Sequence, residues 1–187
     1  STLAGQIYEG SEITVREDQC GPSLNKFKEV VKEFSRYYVN TFFSMVGSGT
    51  NSREFQGSVT IDKLWIVKQL NGDYNPLHDH KSRSPAGLSG VFYLESPKSL
   101  VSSSPIPASP KDRGKSVSGK IQLPFGSVVT PDFDRFILPQ VWTLSPDPGK
   151  FILFPRQQAH QVSPFSGDGE RICLAFNIDV WYGQKGI

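Results

Sequence analysis

The sequence has little cysteine, and its two cysteines are not placed for cross-linking or zinc binding. Cys20 and Cys173 lie far apart in the 187 residues and form no C-x-x-C motif. Neither a disulfide framework nor a cysteine-rich zinc site is indicated. Without a disulfide framework a reducing compartment is the default, and we expect a soluble, cytoplasmic protein.

Long apolar runs and blocks of like charge are also missing. The longest apolar runs, such as Phe151–Phe154 and Ile172–Phe176, are far too short to cross a bilayer. No basic segment followed by an apolar one marks the N-terminus as an export signal. Lys and Arg number 20 against 18 Asp and Glu, a formal charge of +2. We therefore expect no membrane association and no nucleic-acid partner.

The first part of the chain predicts one amphipathic helix. Between Ser23 and Val46, apolar residues recur at helical spacing with charged residues between them. Ser23 is a candidate N-cap, and Gly47–Gly49 is a stop signal. A chain of this length suits a single domain, residues 1–187, in which residues 1–58 give helical support.

Beyond the helix, residues 59–182 consist of short β-rich runs separated by turn residues. The predicted strands are Val59–Leu70, Leu88–Leu94, Ile121–Leu123, Arg135–Leu138, Phe151–Phe154 and Arg171–Ile178. Many short strands behind a helix predict a mainly β fold, a sandwich or barrel with helical support. A long loop rich in proline and serine, at about residues 96–120, is either a surface excursion or a lid over a site.

All three histidines of the chain fit one metal site. His78 and His80 are two residues apart, so an extended strand points both imidazoles to the same side, whereas Asp79 between them points to the opposite face. His160 follows the apolar run Phe151–Phe154, where a strand returns a side chain to the interior. Two nearby ligands and one distant ligand are typical of a facial metal triad in a β-barrel.

Arg171 opens the last predicted strand and alternates with Cys173, Ala175 and Asn177 on one face. A guanidinium in a partly apolar pocket is suited to a bidentate grip on a carboxylate. The alternative is a surface salt bridge with Asp168 or Glu170.

These residues together resemble the Fe(II)- and 2-oxoglutarate-dependent oxygenases, which have a double-stranded β-helix (jelly-roll, cupin-like) core. The nearest resemblance is to a branch with a His-x-His…His…Arg pattern, met in phage-related and marine microbial sequences. The matching residues are Trp65, Gly72, His78, His80, Leu88–Leu94, Pro97, Gly149, Phe154, Pro155, His160, Arg171, Phe176 and Asn177.

The resemblance implies a site and a reaction. His78 and His160 match iron ligands, Arg171 matches the group that pairs with the far carboxylate of 2-oxoglutarate, and Tyr93 matches a position that helps to hold this co-substrate. Ser89 and Asn177 flank the same pocket. The implied reaction uses Fe(II) and molecular oxygen to oxidise, by hydroxylation, a primary substrate of unknown identity, while 2-oxoglutarate is decarboxylated to succinate.

One position departs from the larger superfamily, which has a carboxylate two residues after the first histidine. Here His80 stands in that place, so either three imidazoles hold the metal or Asp79 turns inward; strand geometry favours the three imidazoles. Two other functions stay open: a three-histidine, cupin-type metalloenzyme that does not use 2-oxoglutarate, and a non-catalytic ligand-binding jelly-roll.

Overall fold

Two antiparallel β-sheets and one long helix form the described part of the protein. The computed structural model describes residues 7–16, 20–46, 55–81, 83–84, 86–101, 117–125 and 141–182. The strands are β1 (Ser11–Thr14), β2 (Gly57–Gln69), β3 (Asn75–His78), β4 (Ala86–Glu95), β5 (Ile121–Pro124), β6 (Val141–Leu144), β7 (Phe151–Pro155), β8 (His160–Val162) and β9 (Arg171–Tyr182). One sheet has the order β1-β2-β9-β4-β7, and the other has the order β3-β8-β5-β6. This is the mainly β architecture that the sequence predicts, and it agrees with the jelly-roll fold that the resemblance implies.

Helix α1 spans Pro22–Val46 and begins one residue earlier than predicted. The Gly21 carbonyl accepts the backbone N–H groups of Leu24 and Asn25, both at 3.1 Å, so Gly21 precedes the helix and Pro22 occupies its first position. Proline suits that position because its missing N–H would have no helical partner there. Ser23 therefore lies inside the first turn, and its prediction as the N-cap is wrong.

The apolar face of α1 covers the outer face of the five-stranded sheet. Val31 and Val39 are buried against this sheet, in one cluster with Leu174, Phe176 and other strand residues. Phe27 contributes an edge-on contact to the Phe176 ring, with centroids 6.0 Å apart. The helix thus closes one side of the sheet and leaves the other side for the site.

A bulge in β2 decides which of its residues face inward. The pairing of β2 with β9 shifts between Ile61 and Lys63. Before the bulge the odd-numbered residues face the helix, and after it the even-numbered ones do, because one extra residue reverses the alternation. Trp65 and Val67 consequently lie in the second core, between the sheets.

Several predicted strands are confirmed with small changes in their ends, and four strands were not predicted. The missed strands are β1, β3, β6 and β8, each only 3 or 4 residues long. Strand β1 joins the edge of the larger sheet, so the N-terminal segment contributes more than a helix. The predicted strand at 135–138, the stop signal at 47–49 and most of the loop at 96–120 lie outside the described residues, although a 3-10 turn occupies Lys98–Leu100.

Nothing in the described ranges amounts to a membrane-spanning helix, since α1 is not apolar enough. That residues 1–187 form one domain, and that the protein is cytoplasmic, stay predictions.

Candidate metal centre

The structure brings the three histidines together. His78 ends β3 and lies directly opposite His160, which begins β8. His80 follows two residues beyond β3, where its backbone N–H donates to the Arg156 carbonyl at 3.1 Å. The ring centroids lie 4.3 Å apart for His78 and His160, 5.0 Å for His78 and His80, and 5.1 Å for His80 and His160. One ligand atom from each ring lies within 4.8 Å of the others, an arrangement that could hold a metal ion.

Backbone carbonyls orient two of the imidazoles. The Nδ1 of His78 lies 2.7 Å from the Pro76 carbonyl oxygen, and the Nδ1 of His160 lies 3.0 Å from that of Gln158. A carbonyl oxygen can only accept, so each Nδ1 carries the proton. The Nε2 of both rings is then left with its lone pair, which is the form that binds a metal.

Burial keeps His80 and His160 neutral. Desolvation, with the neighbouring rings of His160 and His78, lowers the pKa of His80 to about 3. Desolvation also lowers the pKa of His160 to about 4, against the opposing effect of the Gln158 carbonyl. Both imidazoles are therefore unprotonated at neutral pH and available as ligands.

Asp79 takes no part in this cluster. Its side chain is exposed, and its carboxylate is not among the ligand atoms that gather around the three rings. Side chains thus go on alternating between the two faces beyond the end of β3, so that His78 and His80 lie on one face and Asp79 on the other. The arrangement favours three imidazoles over two imidazoles and a carboxylate.

The three histidines line a cavity between the two sheets. Trp65, Val67 and Gln69 enter it from β2, and Arg171, Cys173 and Ala175 enter it from β9. These six residues are three cross-strand pairs, since Gln69 lies opposite Arg171, Val67 opposite Cys173 and Trp65 opposite Ala175. No acidic side chain lines the cavity within the described part of the chain.

Arg171 is buried, with 1% of its surface exposed, which excludes the surface salt bridge considered as its alternative. Its Nε donates to the Gln69 Oε1 at 3.1 Å, its Nη2 donates to the same oxygen, and its Nη1 donates to the Gly119 carbonyl. The centroid of the Phe165 ring lies 5.8 Å from the Arg171 Cζ. Glu170 pairs instead with Lys68, at 2.5 Å. Desolvation lowers the pKa of Arg171, which is expected of a buried cation whose hydrogen-bond partners are neutral.

Two of the three other residues predicted to hold the co-substrate, Tyr93 and Ser89, line the same cavity. Tyr93 is buried, lines the cavity and pairs with Cys173 across β4 and β9. Burial raises the pKa of the Tyr93 phenol, so this group stays protonated. Ser89 also lines the cavity and donates to the Asn177 Oδ1 at 2.8 Å. Asn177 lies behind Ser89 and is not part of the lining.

Arg156 has a structural position that the sequence did not indicate. A strand-end arginine is expected to be exposed, yet Arg156 is only 3% exposed. Its Nη1 donates to the Asp179 Oδ1 at 2.9 Å and its Nη2 to the Asp62 Oδ2 at 2.6 Å. This buried ion-pair network holds the backbone carbonyl that receives the His80 N–H.

Sequence reasoning missed three polar residues of the cavity. Gln69, Asn75 and Trp65 each line it, and each has a buried polar atom without a partner among the described residues: Gln69 Nε2, Asn75 Oδ1 and Trp65 Nε1. Alternation along β2 could have placed Trp65 and Gln69 on the face of the site, but only with knowledge of the bulge before Lys63.

Comparison with protein families assigns the chain to a family. The model of the family described as "Putative 2OG-Fe(II) oxygenase" matches residues 63–177, more than half of the chain. The chain belongs to this family. The resemblance drawn from the histidines and Arg171 is thereby confirmed at the level of the family. The protein is accordingly an oxidoreductase that uses Fe(II) and 2-oxoglutarate, and the three-histidine cluster lies within the matched region.

Solved structures of 2-oxoglutarate oxygenases share the fold. A prolyl-4-hydroxylase from Pseudomonas putida matches with a TM-score of 0.52 and 13% identity over 95% of this chain and 73% of that one. HygX from Streptomyces hygroscopicus, solved with nickel and 2-oxoglutarate bound, matches with a TM-score of 0.52 and 9% identity over 95% and 74%. A prolyl hydroxylase from Trichoplax adhaerens, solved with a hypoxia-inducible-factor peptide, matches with a TM-score of 0.50 and 12% identity over 94% and 64%. Comparison with curated proteins gives no sequence match.

Proposed function

We propose that this oxygenase binds Fe(II) through His78, His80 and His160 and binds 2-oxoglutarate between the metal and Arg171. The reaction couples decarboxylation of 2-oxoglutarate to succinate with hydroxylation of a primary substrate. The observation that carries the proposal is the presence, in one cavity, of three clustered imidazoles and a buried arginine with no acidic partner among the described residues.

The histidine cluster fits the metal by its donor chemistry. Imidazole nitrogen suits Fe(II), and a facial set of three ligands leaves positions open for a co-substrate and oxygen. Two of the rings are held in the required tautomer by backbone carbonyls. Because His80 replaces a carboxylate, the centre with a divalent metal carries a charge of about +2 rather than +1, which favours an anionic ligand.

Arg171 fits the far carboxylate of 2-oxoglutarate. A guanidinium has five N–H groups, and the hydrogen bonds to Gln69 and Gly119 use three of them. One N–H on each terminal nitrogen remains and can donate to a carboxylate. A buried cation with neutral partners is stabilised strongly by an arriving anion, because its charge is already desolvated.

The histidine cluster and Arg171 lie at different levels of the cavity. Trp65 contacts His80, with ring centroids 6.1 Å apart, whereas Gln69 contacts Arg171. Gln69 lies four residues beyond Trp65 on the extended strand, or about 13 Å along the backbone. A dicarboxylic acid held at the histidines by its oxo-acid end would direct its other end along the strand towards Arg171.

The remaining lining residues orient the co-substrate and exclude water. Tyr93 keeps a neutral hydroxyl that can donate to a carboxylate beside Arg171. Asn177 acts through Ser89, whose hydroxyl it holds. The rings of Trp65 and Phe154 border the histidines, the latter with its centroid 4.8 Å from that of His160, and limit the entry of water.

The chemistry supplied by bound Fe(II) is the reaction of oxygen with 2-oxoglutarate, in which one oxygen atom enters succinate, carbon dioxide is released and the other oxygen atom is delivered to the substrate.

We would test this by incubating the protein with Fe(II), ascorbate, air and ¹³C-labelled 2-oxoglutarate and following labelled succinate by NMR. Succinate should form faster than in protein-free controls, and the increase should vanish in Arg171→Gln. A wild-type protein that binds Fe(II) and 2-oxoglutarate but forms no excess succinate contradicts the proposal.

A further inference from the structure

Gln69 and Arg171 form an unusual buried pair at the inner end of the cavity. Gln69 ends β2, Arg171 begins β9, and the two residues lie directly opposite each other. Gln69 is 2% exposed and Arg171 is 1% exposed, yet both line the cavity. A buried arginine is usually neutralised by a carboxylate, whereas here the side chain beside it is an uncharged amide.

The hydrogen bonds settle which way the Gln69 amide points. The nitrogens of arginine can only donate, so the atom that receives Nε at 3.1 Å, and Nη2 as well, must be the oxygen Oε1. The Nε2 group is then turned away from Arg171. It is buried and has no partner among the described residues. Both of its N–H groups therefore lack an acceptor among the described residues.

Such an arrangement is costly for the empty protein. A buried donor without an acceptor, and a buried cation without an anion, both lower the stability of the folded state. Asp73 attracts Arg171 through space, but its two oxygens already accept the backbone N–H groups of Tyr8, Gly10 and Leu70, at 2.7, 3.0 and 2.9 Å. One bound carboxylate would satisfy both the amide and the guanidinium.

We propose that Gln69 is a positioning and specificity residue for the carboxylate that Arg171 binds. Its oxygen orients the guanidinium, its neutrality leaves the positive charge of Arg171 uncompensated, and its Nε2 donates to the same carboxylate. The inference rests on the proposed function, since it takes the far end of 2-oxoglutarate as that carboxylate. The uncompensated charge of Arg171 thus raises affinity for the anion and lowers the stability of the protein without it.

Replacing Gln69 by glutamate separates this role from a purely structural one. The introduced carboxylate would still accept from Arg171, and it would supply the missing negative charge. The Gln69→Glu protein, free of metal and 2-oxoglutarate, should melt at least about 3 °C higher than wild type, because the buried cation gains a partner. Its affinity for 2-oxoglutarate should fall at least about 30-fold, because the ligand then meets a neutralised arginine and a like charge.

Two further variants complete the design. Gln69→Leu removes the amide without adding charge, so it should weaken 2-oxoglutarate binding and should not raise the melting temperature. Gln122→Glu is the matched control. Gln122 lies on β5 outside the cavity lining, and its Oε1 accepts from Gln161 and Ser163, bonds that a carboxylate can keep. This variant should leave 2-oxoglutarate affinity within about threefold of wild type.

Binding would be measured by calorimetry with Mn(II) as a redox-inert metal, using 2-oxoglutarate and 2-oxopentanoate, which lacks the far carboxylate. The Gln69→Glu change should leave binding of 2-oxopentanoate unaltered. A Gln69→Glu protein that keeps wild-type affinity for 2-oxoglutarate, or that is less stable than wild type, overturns the inference. Failure of the wild-type protein to prefer 2-oxoglutarate over 2-oxopentanoate would instead contradict the proposed function.

Discussion

His78 and His160 lie directly opposite each other on β3 and β8, with ring centroids 4.3 Å apart. Each ring is oriented by a carbonyl two residues before it in the chain, that of Pro76 or Gln158. The two strands of the smaller sheet thus hold two candidate metal ligands in a fixed relation before any metal binds. Such preorganisation is expected of a site whose geometry must be kept while ligands exchange at the open positions.

The role of Arg171 can be tested without affecting the histidines. Arg171→Gln should reduce affinity for 2-oxoglutarate at least about 100-fold, because it removes a charge-assisted bidentate interaction in a buried place. Affinity for Fe(II) or Mn(II) should stay within about threefold of wild type. Calorimetric titration with metal and then with 2-oxoglutarate measures both quantities. Equal loss of metal and 2-oxoglutarate binding would indicate general disruption of the cavity instead.

The low pKa values of His80 and His160 predict how stability depends on pH. In the folded protein these groups titrate at about 3 and about 4, against 6.5 as the ordinary value. Between these pKa values the unfolded chain binds more protons than the native protein, so the free energy of unfolding rises with pH. The stability that depends on neutral His80 and His160 is present above about pH 6.5 and is lost as the pH falls below it. Each such proton contributes a slope of up to about 1.4 kcal/mol per pH unit.

Urea unfolding of the metal-free protein between pH 7.5 and pH 5 measures this slope. His80→Gln removes one of the two groups and should give a shallower dependence than wild type, since the carboxylates of both proteins titrate alike. Identical slopes for the two proteins would show that His80 is not held neutral by the fold.

The ion-pair network of Arg156 should matter for stability. Arg156→Met removes the buried cation that bridges Asp62 and Asp179, which should cost about 3–5 kcal/mol in the free energy of unfolding. The matched control is Arg83→Ala, because Arg83 is 77% exposed and its Nε lies 3.7 Å from Asp62. This control should change stability by less than about 1 kcal/mol. Similar effects of the two substitutions in chemical denaturation would contradict the importance of the buried network.

The sequence predicts the candidate metal ligands and Arg171 better than it predicts the residues packed around them. His78, His80 and Arg171 are predictable because alternation along a strand assigns each side chain to a face, and the structure brings them to one cavity. His160 is predictable from the apolar run before it, although β8 itself is only 3 residues long and gives no periodic signal.

Residues whose position depends on tertiary structure could not be predicted. The bulge before Lys63 reverses the inward face of β2, so Gln69 could not be assigned to the cavity from alternation alone. Arg156 is buried only because Asp62 and Asp179, on two other strands, supply its counter-charges. Such long-range partners leave no mark in the local sequence around an arginine.

The central claim is that three imidazoles bind the iron to which 2-oxoglutarate is added, and an anaerobic titration tests it most directly. Metal-free protein would receive Fe(II) and then 2-oxoglutarate while the visible charge-transfer absorption of the complex is recorded for wild type, His80→Ala and Asp79→Ala. The account predicts the absorption band in wild type and Asp79→Ala, and its loss in His80→Ala. A band that survives in His80→Ala but disappears in Asp79→Ala would contradict the three-histidine site, and tight iron binding without any band in wild type would contradict the use of 2-oxoglutarate at this centre.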